Sequence, residues 1–161
     1  MTGFLHTLKK LLSTRYASLL IILFAIAGRI IQLIYFFNIR LDASHQVIAT
    51  KNLVNGHGIS MTKAYASDIS ATVYEPLINW PPGYSLLQAP FYALFGGDYV
   101  AAGLVLGILA AVILLLVSRS ILKLLDLPLY LINISTLIAG FFIYYFYFIA
   151  RSDAIAISLV M

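Results

Sequence analysis

The sequence predicts an all-helical integral membrane fold, and three observations carry that prediction. Of 161 residues, 62% are hydrophobic and only 10% charged, with a mean hydropathy of +0.98, outside the range of a soluble globular domain. The apolar residues fall in long runs separated by one polar stretch, 40–98, that holds most of the side chains able to do chemistry. The net charge of +4 comes from basic residues gathered mainly at the ends of those runs, a pattern that orients a chain in a bilayer rather than one that binds nucleic acid. Cysteine is absent, which excludes disulfides and thiolate metal sites.

The expected layout is about three complete transmembrane helices, the start of a fourth, and a large first extracytoplasmic loop with interfacial helices. A cytoplasmic N-terminus, 1–16, carries Lys9, Lys10 and Arg15 ahead of a first span, 17–39. The run is long enough to cross the hydrocarbon core at about 1.5 Å per residue. Ala25-Ile26-Ala27 imitates a signal-peptide cleavage site, but the apolar character continues beyond it. Arg29 within the run wants a partner, a water-filled cavity, or a tilt that lets it snorkel to the headgroups; Gln32 shares its helical face.

The outer segment, 40–98, opens on Asp42, a carboxylate at the rim of the first span. Ala43, Val47, Ile48 and Val54 approximate one helical face, and Asn55-Gly56 ends it. The pattern predicts a short amphipathic helix on the outer leaflet with Asp42 as its N-cap. Residues 57–80 lack sustained periodicity and predict a loop with at most a short extended piece. His45 and His57, with Asp42 or Glu75, match no metal-ligand spacing. Trp80-Pro81-Pro82-Gly83-Tyr84 is a rigid turn, leading into an aromatic-rich helical stretch broken near Pro90.

A second span, 99–117, contains Gly103 and Gly107 in GxxxG spacing. Arg119 and Lys123 then mark a cytoplasmic loop, 118–127. A third span, 128–150, ends in an aromatic belt, and an outer turn, 151–161, places Arg151 and Asp153 on the face of Asp42 before a fourth span begins. That last apolar stretch is too short to span, so a longer parent chain is expected.

Several of these pieces resemble the C-type membrane glycosyltransferases (the GT-C superfamily), most closely the branch like the dolichyl-phosphate-mannose protein mannosyltransferases and the aminoarabinose transferases. The resemblance runs from about Arg29 to the C-terminus. It rests on Arg29 before Asp42, on Asn55-Gly56-His57-Gly58, on Pro81-Pro82-Gly83-Tyr84-Ser85-Leu86-Leu87-Gln88-Ala89-Pro90 with Phe95-Gly96, and on Ala150-Arg151-Ser152-Asp153. The chain departs from the commoner family pattern at Ala43, where many members carry a second acidic residue.

The resemblance implies an enzyme that moves a sugar from a polyprenyl-phosphate donor to an acceptor hydroxyl on a glycan, lipid or protein at the extracytoplasmic face, with inversion. It implies Asp42 as general base with Glu75 in reserve, and Arg29, Arg151, Asp153, Trp80 and Tyr84 as substrate-binding residues. No metal ligands are expected, and a requirement for a divalent metal is left open. The implied location is a bacterial cytoplasmic membrane with the N-terminus in the cytoplasm. Two other classes stay open: a transporter or flippase for lipid-linked sugars, and a non-catalytic fragment of a larger membrane protein.

Overall fold

A computed structural model describes residues 2–36, 41–65, 67–79 and 81–141. In chain order the elements are α1 (Thr2–Leu12), α2 (Arg15–Phe36), α3 (Leu41–Val54), β1 (Ser60–Tyr65), β2 (Asp68–Pro76), α4 (Gly83–Leu94), α5 (Tyr99–Leu124) and α6 (Leu129–Phe141).

The all-helical fold with about three complete transmembrane helices does not hold. The segment expected as loop forms a two-stranded antiparallel sheet, β1 against β2. Among the described residues two helices are long and apolar enough to cross a membrane, Arg15–Tyr35 and Tyr99–Leu124. Of the expected third span, the described residues include α6, a shorter apolar helix of 13 residues. The remainder of the expected third span, 142–150, and the outer turn lie outside the described residues. The chain is a mostly helical fold with one small sheet, not the multi-span fold of the C-type glycosyltransferases.

The hairpin escapes the sequence because both of its faces are largely exposed, so no alternation of apolar and polar residues marks it. Its signal is the β-branched and aromatic content of Thr62, Tyr65, Ile69, Thr72, Val73 and Tyr74. Ser60 pairs with Pro76 and Lys63 with Val73, with an irregularity after Ala64. Asp68 shapes the turn end by accepting from the Ser70 amide at 3.0 Å and its hydroxyl at 2.6 Å. Those bonds, the hydroxyl first, hold the Asp68 carboxyl below the usual carboxylate range.

Helix boundaries follow local chemistry. Asp98 caps α5, accepting from the amides of Val100 at 2.8 Å and Ala101 at 3.1 Å. Immediately before it, Gly97 takes φ 91°, where its amide reaches the Tyr92 carbonyl at 2.9 Å and closes α4. Contrary to expectation, α4 runs unbroken through Pro90.

α2 packs on both α5 and α6. Ser18 meets Asn133 near one end and Ala25 meets Gly140 further along, so α2 and α6 run parallel. Small residues set their approach: a Cβ on Gly140 would lie 2.6 Å from Ala25 Cβ and 2.8 Å from its Cα. Gly107 of the GxxxG spacing faces Leu33 of α2. Gly140→Ala is expected to cost about 1–3 kcal/mol, the usual penalty of overpacking, seen as earlier thermal unfolding of the protein in detergent. Unchanged unfolding would mean that the α2–α6 contact gives way freely.

The polarity of this bundle is inverted. Leu19, Leu20, Leu23 and Phe24 of α2, Leu109, Ile113 and Leu116 of α5, and Leu131, Ile134 and Ile138 of α6 are exposed, while Ser18, Arg29, Arg119, Asn133 and Thr136 are buried.

Candidate functional site

The candidate site lies between α3 and the hairpin. β1 packs on α3, and Asn52 ties the two, donating to the Ser60 carbonyl at 2.8 Å and to Thr62 Oγ1 at 3.0 Å. At the base of the hairpin His57 stacks on Tyr74, ring centroids 3.8 Å apart. The register places Met61 opposite Glu75 and Lys63 opposite Val73, so Lys63 and Glu75 are diagonal neighbours on one face and form an ion pair.

That pair, His45 of α3 and the segment running through Leu77 to Asn79 line a groove of about 240 Å³. Pockets for drug-sized ligands hold roughly 300–1,000 Å³, so the groove has room only for a small ligand or part of a larger one. It offers a carboxylate, an ammonium, an imidazole and an amide within one recess. Among the described residues no three His, Asp or Glu side chains come together to hold a metal ion.

α3 is held in place by an unexpected face. Val47 and Ile48 are half-buried and Val54 is exposed, while Gln46, Ala49 and Thr50 are buried, because α4 presents Ser85 and Gln88. The Ser85 hydroxyl donates to the Gln46 carbonyl at 3.0 Å. The Thr50 hydroxyl lies 2.8 Å from the Gln46 carbonyl and 3.1 Å from Gln88 Oε1, either of which can take its proton. Gln88 reaches on to the Tyr99 carbonyl at 3.4 Å, tying α4 to the first turn of α5. The amphipathic helix expected from the apolar residues is thus seated by its polar ones.

The expected site residues separate. Glu75 lines the groove, with half of its side chain exposed. Asp42 falls within the first turn of α3, three residues before His45, rather than at a cap preceding the helix. Arg29 is only 3% exposed; it donates to Gln32 Oε1 at 3.0 Å and to the Ala139 carbonyl, while Gln32 donates to the Phe141 carbonyl at 3.2 Å. It therefore points into the bundle and binds α2 to α6. Trp80, Arg151 and Asp153 lie outside the described residues.

Tyr84 is a core residue at 4% exposure, packed with Leu106, Ala110 and Phe91. Its hydroxyl is buried without a partner among the described residues, and burial pushes the phenol up to about 12. The sign follows directly: an unfolded chain gives up this proton near the ordinary tyrosine value of about 10, whereas the folded chain holds it to about 12. The folded state loses stability across that interval as pH rises. An ultraviolet absorbance titration should show a late tyrosinate step that Tyr84→Phe removes, with folding intact; persistence of that step in the variant would assign it elsewhere.

No sequence signal marks Lys63 or Asn79: the strand register brings Lys63 beside Glu75, and Asn79, three residues past the end of β2, lines the same groove. Comparison with known proteins finds no matching family model, no matching curated protein and no matching solved structure.

Proposed function

We propose that this chain is, or belongs to, a membrane-embedded enzyme that transfers a sugar from a polyprenyl-phosphate donor to an acceptor hydroxyl at the outer face of the membrane. The reading takes its chemistry from the short motifs shared with the C-type glycosyltransferases, and not from their fold. The observation that carries it is the groove in which Glu75, Lys63 and His45 meet beside the turn bearing Asp42.

Membrane residence is supported by the inverted polarity of α2, α5 and α6, whose exposed leucines and isoleucines need apolar surroundings. Lys9, Lys10, Arg15, Arg119 and Lys123 gather at one end of the bundle, which the positive-inside tendency assigns to the cytoplasm. The hairpin and groove are then on the opposite side, in a bacterial cytoplasmic membrane the outer face.

In the proposed step the acceptor oxygen attacks the anomeric carbon, and its proton passes to the Asp42 carboxylate. The bond from that carbon to the phosphate oxygen breaks, and polyprenyl phosphate leaves with the electron pair. Inversion follows from a single displacement. Lys63 and Arg151 supply positive charge for the departing phosphate. Arg29, committed to Gln32 and the α6 backbone, is occupied by helix packing, which favours transfer over a translocation route.

The test is an assay on membranes containing the protein, given a polyprenyl-phosphate sugar labelled in the sugar. Protein-dependent appearance of label in a new glycoside, with inverted configuration, is expected. Movement of the intact donor across the bilayer without transfer would establish a transporter instead.

A further inference from the structure

At the end of the bundle away from the groove, we propose a second site, one that binds the phosphate of an anionic phospholipid on the cytoplasmic leaflet. It is built around Arg119, which is 5% exposed. Its Nη1 donates to Thr136 Oγ1 at 2.8 Å and its Nη2 to Asn133 Oδ1 at 2.7 Å. Both partners are neutral, and among the described residues no carboxylate pairs with this guanidinium. A charge so far from water is ordinarily matched by an opposite one, because each uncompensated ion costs several kcal/mol.

The missing charge has a place to sit. A cavity of about 290 Å³ opens between α5 and α6, lined by Arg119 and Thr136 with Ser118 and Ser135. No hydrogen bond engages either serine hydroxyl among the described residues, and both serines border the same, largely apolar recess as Arg119. A phosphate oxygen set is the natural acceptor for a guanidinium fork flanked by hydroxyls.

The other walls of the cavity identify the source of the phosphate. Leu115 and Leu122 line it, and Leu116, Leu137 and Ile138 are exposed on the same two helices. Such a surface takes a ligand with a hydrocarbon tail. The surroundings are also cationic: Asn133 bonds the Leu12 carbonyl and Ser18, bringing the end of α1, with Lys9 and Lys10, and the start of α2, with Arg15, to this end of the bundle. Anionic leaflets attract such clusters by about 1 kcal/mol per basic residue. The site rests on the membrane reading but is independent of sugar transfer.

The test uses the detergent-purified chain and native mass spectrometry of bound lipid. Phosphatidylglycerol should be retained in preference to phosphatidylcholine, and inorganic phosphate at equal concentration should not displace it. Arg119→Gln should weaken retention by about tenfold or more, the loss expected when a charged hydrogen-bonding fork is removed. Should that variant fail to fold, Ser135→Leu fills the recess and breaks no hydrogen bond among the described residues, and the same loss is expected. Equal retention of both lipids, displacement by inorganic phosphate, or undiminished retention in Ser135→Leu would each overturn the proposal.

Discussion

Asp42→Asn should lower sugar transfer by about 10²–10⁴, the range that a positioned general base contributes, with little change in the affinity for donor. Asparagine keeps the size and polarity of the side chain but cannot take the acceptor's proton. Glu75→Gln is the matched control. Its carboxylate is already engaged by Lys63, so its removal should weaken the groove more than the chemistry and fall chiefly on KM. The assignment would be reversed by the opposite pattern, turnover lost with Gln at 75 and kept with Asn at 42. Equal turnover in both variants would remove the general-base step altogether.

A second large effect is expected at Asn133, whose side chain is wholly buried. It accepts from Arg119 Nη2 at 2.7 Å and from the Ser18 hydroxyl at 3.1 Å, and donates to the Leu12 carbonyl at 2.6 Å. One amide thereby joins the end of α1 and the helices α2, α5 and α6. Side-chain hydrogen bonds between membrane helices average only about 0.6 kcal/mol each, so the loss of three partners accounts for about 2 kcal/mol. Asn133→Ala also leaves Arg119 with Thr136 as its only acceptor among the described residues, and stranding a buried charge is the costlier event. The sum is about 2–4 kcal/mol, measurable as a lower unfolding midpoint in detergent. Arg119→Leu in the Asn133→Ala background should then recover part of the loss, because the stranded charge is gone. Strict additivity of the two changes would show that no such coupling exists.

Much of the helical framework is legible in the apolar runs. The expected first span, 17–39, becomes α2 at Arg15–Phe36, and the second begins at Tyr99 as expected. It runs to Leu124, past the expected end at 117, and Arg119, expected in the cytoplasmic loop, lies within the helix and bonds Asn133 and Thr136. A charged residue marks the end of the bundle it sits near, but sequence does not say which way its side chain points.

The hairpin and the seating of α3 were illegible for a related reason. Strands show themselves by one buried face, and here neither face is buried. Helices show themselves by an apolar stripe, and α3 turns Gln46 and Thr50 inward because Ser85 and Gln88, some forty residues later in the chain, are there to meet them. Of the groove, Glu75 was visible as an acidic residue in a polar segment. Its partnership with Lys63 exists only through the register of β1 on β2.

The attachment of the hairpin has a mechanical consequence. With both faces of the sheet largely exposed, the amide of Asn52 anchors its base to α3, and the limbs beyond that anchor carry Lys63 on one strand and Glu75 on the other. Removing that anchor with Asn52→Ala is expected to loosen the spacing between His45 and the Lys63–Glu75 pair across the groove.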